Sequence, residues 1–224
     1  MLGLFDSGSG GLNTVRYVKE LSDDVDLVYL IDRENAPYGI KTEKELIAIT
    51  KANIDRLTDM GARRVLIACC TASTVYQELG EKYKKIALPI IDAVAKRAEE
   101  ATRIGRIGVI ATNRTVRSHA FKTALRDCTV TELATPELVR LIDNGLSDEC
   151  AETETERMLE DMIRPVLDAR IDTLILGCTH FPSLIRTVSK IASHYGVESV
   201  IDSARVGAEI LVDASRNISG ITEA

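Results

Sequence analysis

Two short stretches hold the residues best suited to chemistry. Asp172 to Pro182 reads Asp-Thr-Leu-Ile-Leu-Gly-Cys-Thr-His-Phe-Pro, and Arg64 to Ser73 reads Arg-Val-Leu-Ile-Ala-Cys-Cys-Thr-Ala-Ser. In each, an apolar run of strand length ends in a small residue and then a cysteine, Cys178 or Cys69, 109 positions apart. A buried parallel strand followed by Gly177, with Pro182 at a first helical turn, puts the Cys178 thiol, Thr179 hydroxyl and His180 imidazole at the carboxyl end of a strand. Open α/β sheets bind ligands there. Helix amino ends favour an anion, whether a substrate carboxylate or a thiolate, so the pattern predicts thiols of lowered pKa, with Thr71 and Thr179 beside them. Two such thiols suit proton exchange at a single carbon. One, as thiolate, takes a proton from one face, and the other, as thiol, returns a proton to the opposite face. Asp6, at the end of the first apolar run, is placed to orient Cys69, and His180 to assist Cys178.

The elements that must position these groups follow from the pattern of the chain. Leu2 to Asp6 reads as a first strand, and Ser7-Gly8-Ser9-Gly10-Gly11 leads into a helix from about Leu12 to Leu21. Leu27 to Ile31 is a second strand ending at Asp32. Thr42-x-x-Glu45 is a capping box opening a helix whose Leu46, Ile49, Ile54, Leu57 and Met60 share one side. Val65 to Ala68 is the third strand, and Ile86 to Ile91 the expected fourth, with Asp92 capping the helix after it. Strands are expected again at Ile107 to Ile110, Thr129 to Leu133, before Cys178, and at Ser199 to Asp202. Apolar residues from Met158 to Leu167 mark a long helix between the second and third of these.

The second series repeats the first. Gly3 to Ser7 matches Gly108 to Thr112 at an offset of 105, the cysteine strands match at 109, and Ile90-Ile91-Asp92 matches Val200-Ile201-Asp202 at 110. The fold class is therefore α/β: two pseudo-symmetric parallel-sheet lobes, residues 1–94 completed by a C-terminal helix 205–224, and residues 95–204. The active site is expected in the cleft between them.

Composition narrows the classes of function. A formal charge of −6 and a mean hydropathy of +0.02 over 224 residues argue against nucleic-acid binding, which needs a basic footprint. No signal peptide or membrane span is expected. Five cysteines without a regular framework suit a reducing cytoplasm, and neither Cys128 nor Cys150 gains a role from its surroundings. The glycines of the first loop fit neither a dinucleotide fingerprint, since Asn13 stands at the last position, nor a P-loop. Cys69, Cys178 and His180 match no zinc module. No cofactor and no metal are expected.

At Gly3-Leu4-Phe5-Asp6-Ser7-Gly8-Ser9-Gly10-Gly11-Leu12, Pro37-Tyr38-Gly39, Ala68-Cys69-x-Thr71-Ala72-Ser73 and Leu176-Gly177-Cys178-Thr179-His180-Phe181-Pro182, the chain resembles the glutamate racemases of the aspartate/glutamate racemase family. The motifs run in the family's order over nearly the whole chain. The resemblance implies cofactor-independent, two-base racemisation of glutamate in the cytoplasm, supplying D-glutamate for peptidoglycan, by a homodimer. Cys69 and Cys178 would be the bases, with Asp6, His180 and Asp143 assisting; Asp143 stands where the family has a glutamate. Asp6, Ser7, Pro37, Tyr38, Gly39, Cys70, Thr71, Thr112, Thr179 and His180 would form the substrate site. Cys70 replaces a usual asparagine, and Ala111 a usual glycine. The alternatives are racemisation of another amino acid such as aspartate, or a catalytically impaired binding homologue. Substrate carboxylates are expected on backbone N–H groups and the hydroxyls of Ser7, Thr71, Thr112 and Thr179, not on Arg33, Arg114 or Arg117.

Overall fold

The first apolar run, β1 (Leu2–Asp6), is buried along its full length, as a central strand of a parallel sheet must be. The computed structural model describes residues 1–149 and 153–219 and divides into two units, residues 1–90 with the C-terminal helix from Ala204, and residues 91–203. In the first unit the chain runs β1, α1 (Gly11–Leu21), β2 (Leu27–Ile31), α2 (Glu43–Asp59), β3 (Val65–Ile67), α3 (Cys70–Ser73), α4 (Glu81–Lys84) and β4 (Ala87–Pro89), forming one parallel sheet in the order β2-β1-β3-β4. The Thr42–Glu45 capping box starts α2: Glu45 N–H donates to Thr42 Oγ1 at 3.3 Å, and Thr42 N–H to Glu45 Oε2 at 2.7 Å. Leu46, Ile54 and Leu57 then turn inward onto Phe5, Val65 and Ile67.

Helix α5 (Ile90–Ala101) leads into the second unit, with β5 (Arg106–Ala111), α6 (Asn113–Ser118), α7 (Ala120–Ala124), β6 (Thr129–Ala134), α8 (Pro136–Asp143), α9 (Thr153–Leu167), β7 (Thr173–Gly177), α10 (Ile185–Ser193) and β8 (Ser199–Asp202). Its strands form a second parallel sheet in the corresponding order, β6-β5-β7-β8. Leu159, Ile163, Val166 and Leu167 of α9 pack with Leu174 and Leu176 of β7 in the core of this unit. Helix α11 (Ser203–Ser219) returns the chain to the first unit; the last five residues of the expected C-terminal helix, and Cys150, lie outside the described residues.

The strand registers reproduce the offsets of 105 and 109. Gly3, Leu4 and Phe5 pair with Val65, Leu66 and Ile67, while Gly108, Val109 and Ile110 pair with Leu174, Ile175 and Leu176. The fourth strand is a correction. It ends at Pro89, and Ile90, Ile91 and Asp92 already belong to α5, so Asp92 lies inside the helix rather than capping it. By register, Ala87, Leu88 and Pro89 correspond to Val200, Ile201 and Asp202, an offset of 113. Helices α5 and α11 each follow their strand without a loop, so an apolar run that crosses the junction looks like one longer strand.

Among the described residues, no helix is long and apolar enough to cross a membrane.

Candidate active site

In the first unit, the chemistry gathers where β1 and β3 end. Cys69 sits two residues beyond β3, with its Sγ 3.6 Å from Ser7 Oγ. Asp6 is fully buried, and its Oδ2 accepts from the N–H groups of Gly8 (3.3 Å) and Gly11 (3.0 Å), folding the Ser7–Gly10 loop back over the strand end. Tyr29 Oη donates to the Gly8 carbonyl at 2.8 Å and fastens the same loop from β2. Gly11 is needed here for space: a Cβ would come within 2.6 Å of Tyr29 Oη and 2.8 Å of Asp6 Cβ.

Burial pushes the Cys69 thiol up to about 12, and the nearby Asp6 charge adds to the rise. Hydrogen bonds from the Ala72 N–H, the Ser7 hydroxyl and the Thr71 N–H favour the thiolate but do not outweigh burial and charge. The expectation of a lowered pKa therefore fails for Cys69. Helix α3, which follows it, has only four residues, so its dipole is slight, and desolvation wins.

In the second unit, Cys178, Thr179 and His180 follow β7 at once and are all buried. His180 Nδ1 lies 3.7 Å from Cys178 Sγ, and His180 Nε2 lies 3.2 Å from Asp143 Oδ1. The ring thus presents Nδ1 to the thiol and Nε2 to the carboxylate, and because a carboxylate only accepts hydrogen bonds this placement favours the tautomer with its proton on Nε2. Asp143 is the last residue of α8, with its side chain half exposed, whereas His180 is almost enclosed. The helix expected after this loop is delayed: a 3₁₀ turn, Phe181–Leu184 with Pro182 in its first positions, precedes α10.

The remaining predicted site residues fall into three places. Thr71 and Cys70 are buried in α3, and the Thr71 carbonyl accepts from Thr74 Oγ1 at 2.7 Å. Thr112 follows β5 and caps α6, its Oγ1 accepting from Thr115 N–H at 3.3 Å. Tyr38 and Gly39 form a 3₁₀ turn (Tyr38–Ile40), with Pro37, exposed, just before it after a cis peptide bond. The Tyr38 hydroxyl is engaged inside, donating to Asp32 Oδ2 at 2.6 Å.

Sequence reasoning missed the polar network around Asp32. Asn53 Nδ2 donates to Asp32 Oδ2 (3.0 Å) and Tyr38 Oη (2.9 Å), and Asn35 Nδ2 reaches both Asp32 oxygens at 2.9 and 3.0 Å. Burial opposes the Asp32 charge, but the Tyr38, Asn53 and Asn35 hydrogen bonds hold its carboxyl below the usual range. The network anchors the Tyr38 turn on β2 and α2. One signal was available: Asn53 stands on the inward face of α2, between Thr50 and Ile54, where a polar side chain needs a partner.

The two sheets have diverged at their chemical positions. By register Asp6 corresponds to Ala111 and Ser7 to Thr112; by the cysteine offset His180 corresponds to Thr71. One thiol thus has a carboxylate beside it, and the other an imidazole backed by a carboxylate. Among the described residues, no group of three or more His, Cys, Asp or Glu side chains is arranged to hold a metal ion.

The chain matches the family model described as Asp/Glu/Hydantoin racemase over residues 13–211. It is 34% identical to the glutamate racemase of Aquifex aeolicus over 220 residues, which cover 96% of this chain and 84% of that protein. The glutamate racemase of Mycobacterium tuberculosis is 37% identical over 187 residues, 82% of this chain and 68% of that one. Among solved structures, a glutamate racemase isoform of Bacillus anthracis superposes with a TM-score of 0.84 at 27% identity, covering 97% of this chain and 82% of that one. The glutamate racemase of Francisella tularensis in complex with D-glutamate gives 0.84 at 25% identity, covering 97% and 81%. Sequence and fold agree: the chain belongs to the Asp/Glu/Hydantoin racemase family and is an amino-acid racemase, an isomerase.

Proposed function

We propose that the protein interconverts L- and D-glutamate by a two-base mechanism in which Cys69 and Cys178 exchange protons with opposite faces of the α carbon. The observation that carries this reading is the equivalence of the two cysteines, each two residues beyond the last of three matched strand residues, in sheets of the same order. Glutamate is favoured as substrate because the relatives above are glutamate racemases, one of them solved with D-glutamate.

The two environments divide the labour. Cys69, raised to about 12, is a thiol near neutral pH and is ready to give a proton. Cys178 can pass its proton to His180 Nδ1, giving a thiolate beside an imidazolium whose other nitrogen faces Asp143. The Cys178 thiolate then takes the Cα proton of the L-enantiomer, the electron pair stays on carbon as a carbanion, and Cys69 delivers its proton to the opposite face. No net oxidation occurs, and the D-enantiomer runs the same steps in reverse from the form that L-turnover leaves, with Cys69 the thiolate and Cys178 the thiol. D-glutamate made in this way would feed peptidoglycan precursors in the cytoplasm.

The test is incubation with each enantiomer of glutamate and of aspartate in deuterated water. Glutamate should reach an equal mixture, with the newly formed enantiomer carrying deuterium at Cα. Racemisation of aspartate alone would overturn the substrate, and exchange of neither would overturn the activity.

A further inference from the structure

We propose that Asp148 is a positioning residue for the Cys178–His180–Asp143 relay, an inference that rests on the mechanism proposed above. Helix α10 lacks a cap of its own: Leu184 occupies the N-cap position and has no side-chain hydrogen bond to offer. The amide groups that such a cap would serve are taken instead by Asp148, from 36 residues earlier in the chain. Its Oδ2 accepts from Arg186 N–H at 2.9 Å, and its Oδ1 from Thr187 N–H at 2.9 Å and Thr187 Oγ1 at 2.7 Å. Arg186 Nε lies 3.5 Å from Oδ2. The carboxylate is thus satisfied by fixed backbone donors, as a good N-cap is.

The same residue closes a circuit around His180. Asp148 N–H donates to the Ser183 carbonyl at 2.9 Å, and Ser183 N–H donates to the His180 carbonyl at 3.1 Å. His180 Nε2 meets Asp143, and from Asp143 the chain runs back to Asp148 through four residues. That short path is itself held. Gly145 takes φ +100, and Gly145 and Leu146 return hydrogen bonds to the carbonyls of Ile142 (2.9 Å) and Leu141 (3.0 Å), closing α8. A cap at position 184 would satisfy the same amides of α10 without touching α8. Taking the cap from Asp148 ties the end of α8, which carries Asp143, to the turn that carries His180. A half-exposed carboxylate on a helix end thereby keeps its register to a buried ring.

The experiment isolates the step that uses Cys178. In a Cys69→Ser protein the Cys178 thiolate can still draw the Cα proton from L-β-chloroglutamate, with chloride leaving from Cβ; in a Cys178→Ser protein Cys69 does the same to the D-compound. Adding Asp148→Ala should slow L-elimination about tenfold and leave D-elimination within about twofold of its parent. Adding Asp148→Asn, which keeps one acceptor oxygen, should slow L-elimination about threefold, and ¹⁵N spectra of the His180 ring should show the Nε2–H tautomer losing its dominance in the alanine protein. Equal slowing of both half-reactions, or a lowered melting temperature with both rates and the tautomer unchanged, would overturn the proposal and leave Asp148 as a structural cap. If the alanine protein fails to fold, the asparagine protein decides by the same selective loss. Asp143→Ala, tested in parallel, separates the levels. If it leaves L-elimination unchanged, the relay reading is wrong; if it slows L-elimination while both Asp148 variants do not, only the positioning role is wrong.

Discussion

Asp143 and His180 meet at 3.2 Å through Nε2, the ring nitrogen that does not face Cys178, so in the proposed mechanism the carboxylate acts on the thiol through the imidazole. Removing it should weaken the thiolate–imidazolium pair without altering Cys69. Asp143→Ala is expected to lower the racemisation rate by about ten- to a hundredfold, as read by circular dichroism on either enantiomer. Asp143→Glu, which can still accept from Nε2 through a longer arm, should retain more activity than alanine; equal loss in both would show that the contact is incidental.

Replacement of either thiol tests the pair directly. Cys69→Ser and Cys178→Ser should each reduce racemisation about a thousandfold or more, because a hydroxyl is a far weaker base than a thiolate near neutral pH. Elimination should survive with opposite preference, for the L-compound in Cys69→Ser and for the D-compound in Cys178→Ser. Near-normal racemisation in one mutant would remove that cysteine from the mechanism.

The raised Cys69 thiol has a pH signature. Alkylation of Cys69 by iodoacetamide, followed by mass spectrometry of the labelled peptide, should remain slow at neutral pH and rise as the medium approaches about 12. In Asp6→Asn the loss of the neighbouring charge should move the curve to lower pH. The same shift bears on stability. A thiol whose pKa is higher when folded stabilises the fold fully below its unfolded value of about 8.5, and that contribution is lost as pH rises toward the folded value. Thermal melts between neutral and strongly alkaline pH should therefore fall more steeply for the parent than for Cys69→Ala.

Asp172 provides a stability test away from the chemistry. It is buried, and its carboxylate accepts from Thr102 Oγ1 (2.5 Å), Arg103 N–H (2.6 Å) and Ile104 N–H (2.9 Å), tying the start of β7 to the turn before β5. Burial alone would raise its pKa; the Thr102, Ile104 and Arg103 hydrogen bonds lower it overall. Asp172→Ala should cost about 2–4 kcal/mol in urea unfolding, because the two amides lose their acceptor. The contribution is present above the unfolded value of about 3.9 and is lost as pH falls through the folded one, so the variant should show a shallower acid transition.

The strands that end at Asp6 and just before Asp32 and Cys178 were legible because each is a short apolar run stopped by a polar or small residue. Repetition made the two-sheet plan legible as well, since two cysteine strands at one offset are hard to obtain by chance. The fourth strand was misread because Ile90 and Ile91 are apolar whichever element holds them, and only the pairing with β3 shows where the ladder stops. The Cys69 environment was misjudged for a different reason. A helix start can be inferred locally, but desolvation depends on everything packed around the sulfur. The Asp32 network joins residues up to 21 positions apart through side chains, and of its members only Tyr38, through the family resemblance, had been marked for the site.

The divergence of Asp6 from Ala111, and of His180 from Thr71, gives the two thiols unequal partners, yet the partners cannot bias the outcome. Mirror-image amino acids have the same free energy in water, so their equilibrium constant is one, and the Haldane relation then requires equal kcat/KM for the L- and D-forms in the parent and in every active variant. Whatever advantage His180 and Asp143 give to one direction of turnover must return as a proportionately higher KM in that direction. The unequal halves of this duplicated scaffold can set the speed of each direction at saturation, but not the composition of the pool they leave behind.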